Sequence, residues 1–422
     1  MTALAAGLLA ACTGGGNGAV TTTSTTVAST TTTAAPRGNV DGTLTIGLLL
    51  PTSGEAAGLA APMIRGVKMA VQQINDMGGV GGRAVQMVPV DEGSSASTGA
   101  AALQSLLEEG LVDAVIGPAS SKIALTLIPT LAESGVVTCS PSTTAIGISG
   151  LPGRQRYFRT MPSDSLQAVA LARAVAATGL PTAAVFLPDD DYGESFSASL
   201  LPELQRRDVD VVSTVRYDPA ADDHAALVTT ALEQEPSTAV IVGLADSGGL
   251  LLRELRDQGA DPSQLPTYVS DGMRRPDLFE QVQPGLPASV AGIHGTAPAA
   301  VPSAATWFVD AFNAFAPGTS AVYASYGFDC ANLIALASLA AGTDDPAVMG
   351  AQMVAVSRNG LACRDFPSCA PLLIERRNID LNGASGPIDF TSQGDPTGAL
   401  YDLFVFDEAG RDVLERQLAV GA

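Results

Sequence analysis

The chain is poor in aromatic, basic and histidine residues. Aromatics make up 5% of its 422 residues, with a single tryptophan, so a core has to be built mainly from Ala, Val, Leu and Ile. Lysine and arginine number 22 against 43 aspartates and glutamates, a formal net charge of −21. That balance argues against nucleic acid as a partner, because phosphate binding needs a basic face. There are only two histidines, His224 and His294, and the cysteine spacings match no zinc pattern, so neither a metal nor an organic cofactor is expected. The sequence lacks a Gly-x-Ser-x-Gly elbow and a His-Glu-x-x-His helix, and neither histidine sits in a triad context. An enzyme, such as a surface hydrolase, is therefore the least favoured reading.

What is present is apolar and abundant. At 46% hydrophobic the chain has ample material for a core, and its length predicts two domains. The organising stretch is 115–144. Residues 112–117 read as a buried strand, and Pro118-Ala119-Ser120-Ser121 as a loop that caps a helix over 122–134, stopped by Gly135. A second buried strand at 136–140 delivers Pro141-Ser142-Thr143-Thr144. A strand-helix-strand unit implies parallel strands, so both hydroxyl-rich loops leave the same carboxyl edge, where open α/β sheets bind ligands. Helix starts there favour an anionic group. Helix capping alone would also explain either loop; two side by side make Ser120, Ser121, Ser142, Thr143 and Thr144 candidate ligand contacts.

The first twelve residues are a short apolar run, too short to span a membrane. Leu9-Ala10-Ala11-Cys12 resembles the bacterial lipobox, with lipidation at Cys12, although the basic start of a signal peptide is missing. Residues 13–39 are almost wholly Thr, Ser, Gly, Ala and Val, a composition that cannot fold and reads as a flexible tether, a candidate for O-glycosylation. With Cys12 lipidated, Cys139, Cys330, Cys363 and Cys369 remain, and four cysteines allow three pairings. The simplest staples Cys363 to Cys369 across a short loop and leaves Cys139 with Cys330.

Taken in order, 43–51 is the first strand, followed by the polar turn Thr52-Ser53-Gly54-Glu55 at the same edge. Met63, Val67, Ala70, Val71 and Ile74 recur at helical spacing. Residues 78–82 are glycine-rich but follow a helix, so they read as a turn and not a nucleotide loop. Strand 84–90 and helix 97–110 come next. After 157–160 the alternation restarts, with strands at 183–187, 209–217, 238–242 and 266–269 and helices at 194–207, 224–234 and 247–257. This is a second α/β domain of the same style. The acidic run 189–191 lacks the spacing of a calcium loop and reads as a strand-end turn. Helices follow at 306–315 and 327–341, and 386–390 with 400–407 reads as a closing antiparallel pair.

The segments IGLLLPTSG, IRGVKMAVQQINDMGGVGGR, AVIGPASS, SPSTT, YFRT, DDDYGE, LLLRELRDQG, YVSDG, SYGFDCANLIALASL and GPIDF, in this order and spacing, resemble the type I periplasmic binding proteins, in particular the leucine/isoleucine/valine-binding group that serves ABC importers. The resemblance covers nearly all of the chain from Thr43. It implies an α/β fold of two doubly wound parallel-sheet lobes joined by three crossovers near 159, 295 and 380. Lobe I would hold 43–159 plus 296–379, and lobe II 160–295 plus 380–422. The implied ligand is an amino acid, branched-chain or related, and the partner an ABC transporter permease. The implied protein is a monomeric lipoprotein on the outer face of the cytoplasmic membrane. By motif, Ser121 and Thr144 would hold the ligand carboxylate. The Ser142 carbonyl and Asp271 would receive its ammonium, and Tyr192 would close from lobe II. Two departures stand out: Leu59 replaces an aromatic, and Phe328 replaces a tyrosine. Asp246, Arg274 and Arg275 lie near pocket segments, either as side-chain selectors or, more simply, as exposed loop charges. A sensory lipoprotein, or a receptor for an amide or small carboxylate, is the alternative.

Overall fold

The computed structural model describes residues 40–108, 112–299 and 302–421. The expected lipobox with Cys12 and the tether 13–39 lie outside them.

Sheet one contains β1 (Thr45–Leu50), β2 (Gln86–Asp91), β3 (Ala114–Ile116), β4 (Val137–Ser140) and β5 (Tyr157–Arg159). Between them come α1 (Ala57–Asp76), α2 (Ala96–Glu108), α3 (Ser121–Ser134) and the short α4 (Ile146–Ser149). All neighbouring strands are parallel, in the order β2-β1-β3-β4-β5. Strand alternation explains the two-sided burial. Ile46, Leu48, Leu50, Ala114 and Ile116 face α1 and the later helices, while Leu49 and Val115 face α2 and α3. Gly135 ends α3 in the left-handed conformation, at φ 76°.

The chain then builds a second body from α5 (Asp164–Ala176), β6 (Thr182–Pro188), α6 (Asp191–Gln205), β7 (Asp210–Tyr217), α7 (Ala225–Leu232), β8 (Thr238–Ile241), α8 (Ala245–Asp257), β9 (Thr267–Val269), α9 (Leu278–Val282) and β10 (His294–Ala299). It returns to sheet one through α10 (Pro302–Phe315), α11 (Ala324–Ala341), α12 (Pro346–Val356), β11 (Leu361–Cys363), α13 (Phe366–Ile374), β12 (Ile379–Gly383) and β13 (Gly386–Pro387). Last come β14 (Gly398–Phe406) and β15 (Asp412–Gly421), which complete the second sheet in the order β15-β14-β10-β9-β8-β6-β7.

Three expectations need correction. The second passage between lobes follows β10, which lies wholly in sheet two, and so comes after 299 and not near 295. The third lies beyond Phe390 and not near 380, because Ile379, Leu381, Ala384, Ile388 and Phe390 are buried in the core of lobe I. Residues 386–390 do not pair with 400–407: β13 pairs with β12, and β14 pairs antiparallel with both β10 and β15. Sheet two is therefore parallel through five strands with an antiparallel edge.

Helix α11 is buried on every side from Ala324 to Ser338, and its Asp329 and Asn332 accept the Ala384 and Phe366 N–H groups there. Gly66 lets it approach α1, since a Cβ there would meet the Ala324 carbonyl oxygen at 2.0 Å. Cys139 of β4 is bonded to Cys330 of α11, and Cys363 to Cys369. Near the hinge, Arg159 and Arg154 both bind Asp395, at 2.7 and 3.0 Å, tying the end of β5 to the third passage.

Candidate functional site

The two hydroxyl loops are stitched into one surface. Ser140 Oγ donates to the Pro118 carbonyl at 2.7 Å, and Ser142 Oγ donates to that of Ala119 at 2.7 Å. Beneath them the buried Glu92 carboxyl accepts the Ala119 and Ser120 N–H groups, at 2.7 and 3.3 Å. Burial pushes Glu92 up to about 8. Ser120 caps α3 through the Ile123 N–H. Ser121 Oγ accepts from the N–H groups of Thr144 and Ala145, both at 3.2 Å, which leaves its own hydrogen free to donate toward the cleft. Arg159 fixes the second loop by donating to the carbonyls of Thr143 and Ala145.

Lobe II supplies the facing wall. Asp190 caps α6 by accepting the Gly193 N–H at 2.9 Å, and Tyr192 in the first turn donates to Ser270 Oγ at 3.2 Å. Asp271 follows β9 in a 3-10 turn, where its carboxyl accepts Gln167 Nε2 at 2.9 Å and its carbonyl accepts the Tyr323 hydroxyl at 2.6 Å. Burial raises the Asp271 carboxyl above its usual range, with Gln167 and Tyr192 opposing. Asp164, at the start of α5, is pushed up to about 7 by burial, with the hydroxyls of Thr144 and Ser195 opposing and Asp271 adding to the rise. Ser195 donates to Asp164 at 3.0 Å and accepts the Ile146 N–H at 2.7 Å, so one hydroxyl bridges the lobes.

Between these walls lies a cavity of about 120 Å³. Ser120, Ser121, Ser142, Thr144, Tyr192 and Asp271 of the expected set line it, as does Leu59. Two expected residues do not. Thr143 is buried with its hydroxyl on that of Tyr157, at 2.9 Å, because its N–H is held from the other side by Ser140. Phe328 is fully buried inside lobe I, with its ring 5.2 Å from Phe308 and 5.9 Å from Trp307. Arg274 is engaged by Asp402 and Asp412, and Arg275 by Asp246 and Asp277; none of these charges lines the cavity.

Sequence reasoning missed Glu55, Asp190 and Ser247 in the wall, and Glu92, Asp164 and Gln167 behind it. Glu55 and Asp190 had a signal, since both sit in polar turns expected at the carboxyl edges. Glu92 and Asp164 carried none, because a buried acid has no periodicity of its own. Among the described residues no cluster suited to a metal occurs.

Two α/β lobes, threaded by three passages and enclosing a cavity at their sheets' carboxyl edges, define the type I periplasmic binding fold. The chain belongs to the periplasmic binding protein family, whose model matches residues 43–376. It is 27% identical over 373 residues, 85% of this chain and 86% of the relative, to the chemotactic signal transduction system substrate-binding protein BasB of Halobacterium salinarum. It is 28% identical over 228 residues, 54% of this chain and 61% of the relative, to the Leu/Ile/Val-binding protein BraC3 of Rhizobium johnstonii. The fold matches the isoleucine complex of the branched-chain amino acid transporter substrate-binding protein LivJ of Streptococcus pneumoniae, with a TM-score of 0.76 and 19% identity over 90% of this chain and 100% of that one. A benzoate-bound solute-binding protein from R. palustris matches with a TM-score of 0.74 at 20% identity, covering 90% and 98%.

Proposed function

We propose that this chain is a non-catalytic extracytoplasmic receptor that binds one α-amino acid as its zwitterion between the lobes and presents it to the permease of an ABC importer. The observation that carries this reading is the cavity pairing of Ser121 on lobe I with Asp271 and Tyr192 on lobe II. The Ser121 hydroxyl and the first N–H groups of α3 meet the carboxylate, while Asp271 and the Ser142 carbonyl meet the ammonium. Tyr192 and the Ser195 bridge bring lobe II down over the ligand, so occupancy and closure are linked. Cys12, as a lipidated residue, would hold the body through residues 13–39 at the outer face of the cytoplasmic membrane. The family's periplasmic character and the amino-acid-binding names of several relatives support this reading.

A second reading, a sensory receptor that reports ligand state to a signalling partner, is favoured by the chain-wide similarity to BasB. A thermal-shift screen of the full chain against α-amino acids, amides and small carboxylates tests the ligand class. An α-amino acid should raise the melting temperature with saturation, since a ligand bound only by the native state stabilises it. A rise with carboxylates or amides alone would count against the zwitterion. Loss of amino-acid uptake on deleting the coding sequence separates import from sensing.

A further inference from the structure

The interlobe cavity has two anionic poles. One is Asp271, which lies close to Tyr192, Asp164 and Tyr323. The other is formed by Glu55 of lobe I and Asp190 of lobe II, next to Ser247 and Tyr217. Glu55 accepts the Ser247 hydroxyl at 3.1 Å, a contact that also crosses the lobes. Burial, with Asp246 and Asp190 nearby, raises the Glu55 carboxyl above its usual range against the Ser247 hydrogen bonds.

Among the described residues, none that lines the cavity is a lysine, arginine or histidine. The nearby Arg275 guanidinium, which packs by Gly58, is held by Asp246 and Asp277. A zwitterion brings one ammonium, and Asp271 takes it. Asp190 retains compensation as the cap of α6, where the helix N-terminus favours a carboxylate. Glu55 begins no helix of its own and accepts the Ser247 hydroxyl in the first turn of α8, whose N-cap Leu244 offers no side-chain cap. An apolar ligand side chain would place hydrocarbon against a carboxylate whose hydrogen bonding comes from Ser247, which is unfavourable for an ionised group.

We infer that the ligand is an α-amino acid whose side chain ends in a cation, a primary ammonium or a guanidinium, and that Glu55, supported by Asp190, selects it. This rests on the amino-acid reading above. The Asp271 end fixes the backbone of the ligand, and its side chain runs along Leu59 to Glu55. Leu59, which lines the cavity between the two ends, offers apolar contact to the methylene stem.

Calorimetric titration of the full chain with L-lysine and its near-isostere L-norleucine, and with L-arginine and L-citrulline, tests the inference. The cationic member of at least one pair should bind about tenfold or more tighter than its neutral partner. Glu55→Gln should shrink that ratio to about threefold or less by weakening the cationic member. Neutral members binding as tightly as the cationic ones would overturn the inference, as would a ratio unchanged in Glu55→Gln. If neutral amino acids bind and Asp271→Asn abolishes their binding, the amino-acid reading stands and only the cationic side chain falls. If no α-amino acid binds, both fall. Circular dichroism on each variant checks that it is folded.

Discussion

Asp395 is the sole carboxylate bound by Arg154 and Arg159 in the described ion pairs, and its replacement by Asn should be among the most destabilising single changes in this protein. The side chains of Arg159 and Arg154 are 0% and 2% exposed, and that of Asp395 is 13% exposed. Removing one partner of a buried ion pair costs about 3–5 kcal/mol. Asn keeps the shape and one acceptor, and Arg159 keeps the Thr143 and Ala145 carbonyls and the Ser149 hydroxyl, so the lower end, about 3 kcal/mol, is expected. The two arginines hold Asp395 below the ordinary aspartate value of 3.8 despite burial. A depressed carboxyl contributes stability above its unfolded pKa and loses it as pH falls through the folded one. Urea denaturation of wild type and Asp395→Asn should therefore show a constant gap from about pH 5 to 8 that closes below the ordinary aspartate range. A gap under about 1 kcal/mol at neutral pH, or one that widens toward acid, would contradict this role of Asp395.

Glu92 has the opposite sign. Its folded carboxyl keeps a proton up to about 8 that an unfolded glutamate releases near 4.5, so its contribution weakens stability as pH rises between those values. Glu92→Gln should remove a slope of about 1.4 kcal/mol per pH unit in urea titrations at pH 5 to 7.5, and an unchanged slope would contradict it. Opening the Cys139–Cys330 bridge, with its separation of 191 residues, should cost about 5 kcal/mol in a double Ala variant. For Cys363–Cys369, separated by 6, chain entropy gives about 2 kcal/mol, and guanidinium midpoints rank the two. Asp271→Asn should weaken amino-acid binding by about thirtyfold or more in calorimetry while leaving the ligand-free melting temperature equal or higher, since it removes a buried charge.

Much of the fold is legible because its signals are local. The continuous apolar run 45–50, helical spacing from Met63 to Ile74, and Gly135 after α3 each follow from hydrophobic patterning or capping. The third passage between lobes was misplaced because a short apolar segment such as 379–390 fits either lobe, and only packing assigns it to the core with Phe158 and Phe328. In the site, the hydroxyl loops were legible as capped strand ends. Thr143 and Thr144, adjacent in sequence, point to different surroundings, a distinction set by Ser140 and Tyr157 that no spacing rule contains. Only the motif points to Phe328 as a ligand contact, and the aromatic cluster of Trp307 and Phe308 holds it inside lobe I.

On the proposed reading, both charged ends of one amino acid are bound in a single interlobe cavity. Titrating the full chain by calorimetry with its tightest amino acid, the matching amine without the carboxylate, and the matching acid without the ammonium tests this directly. One site per chain is predicted, with each truncated analogue about a hundredfold weaker or worse, because either loss leaves Ser121 or Asp271 buried without its partner. An analogue binding as tightly as the amino acid would contradict it.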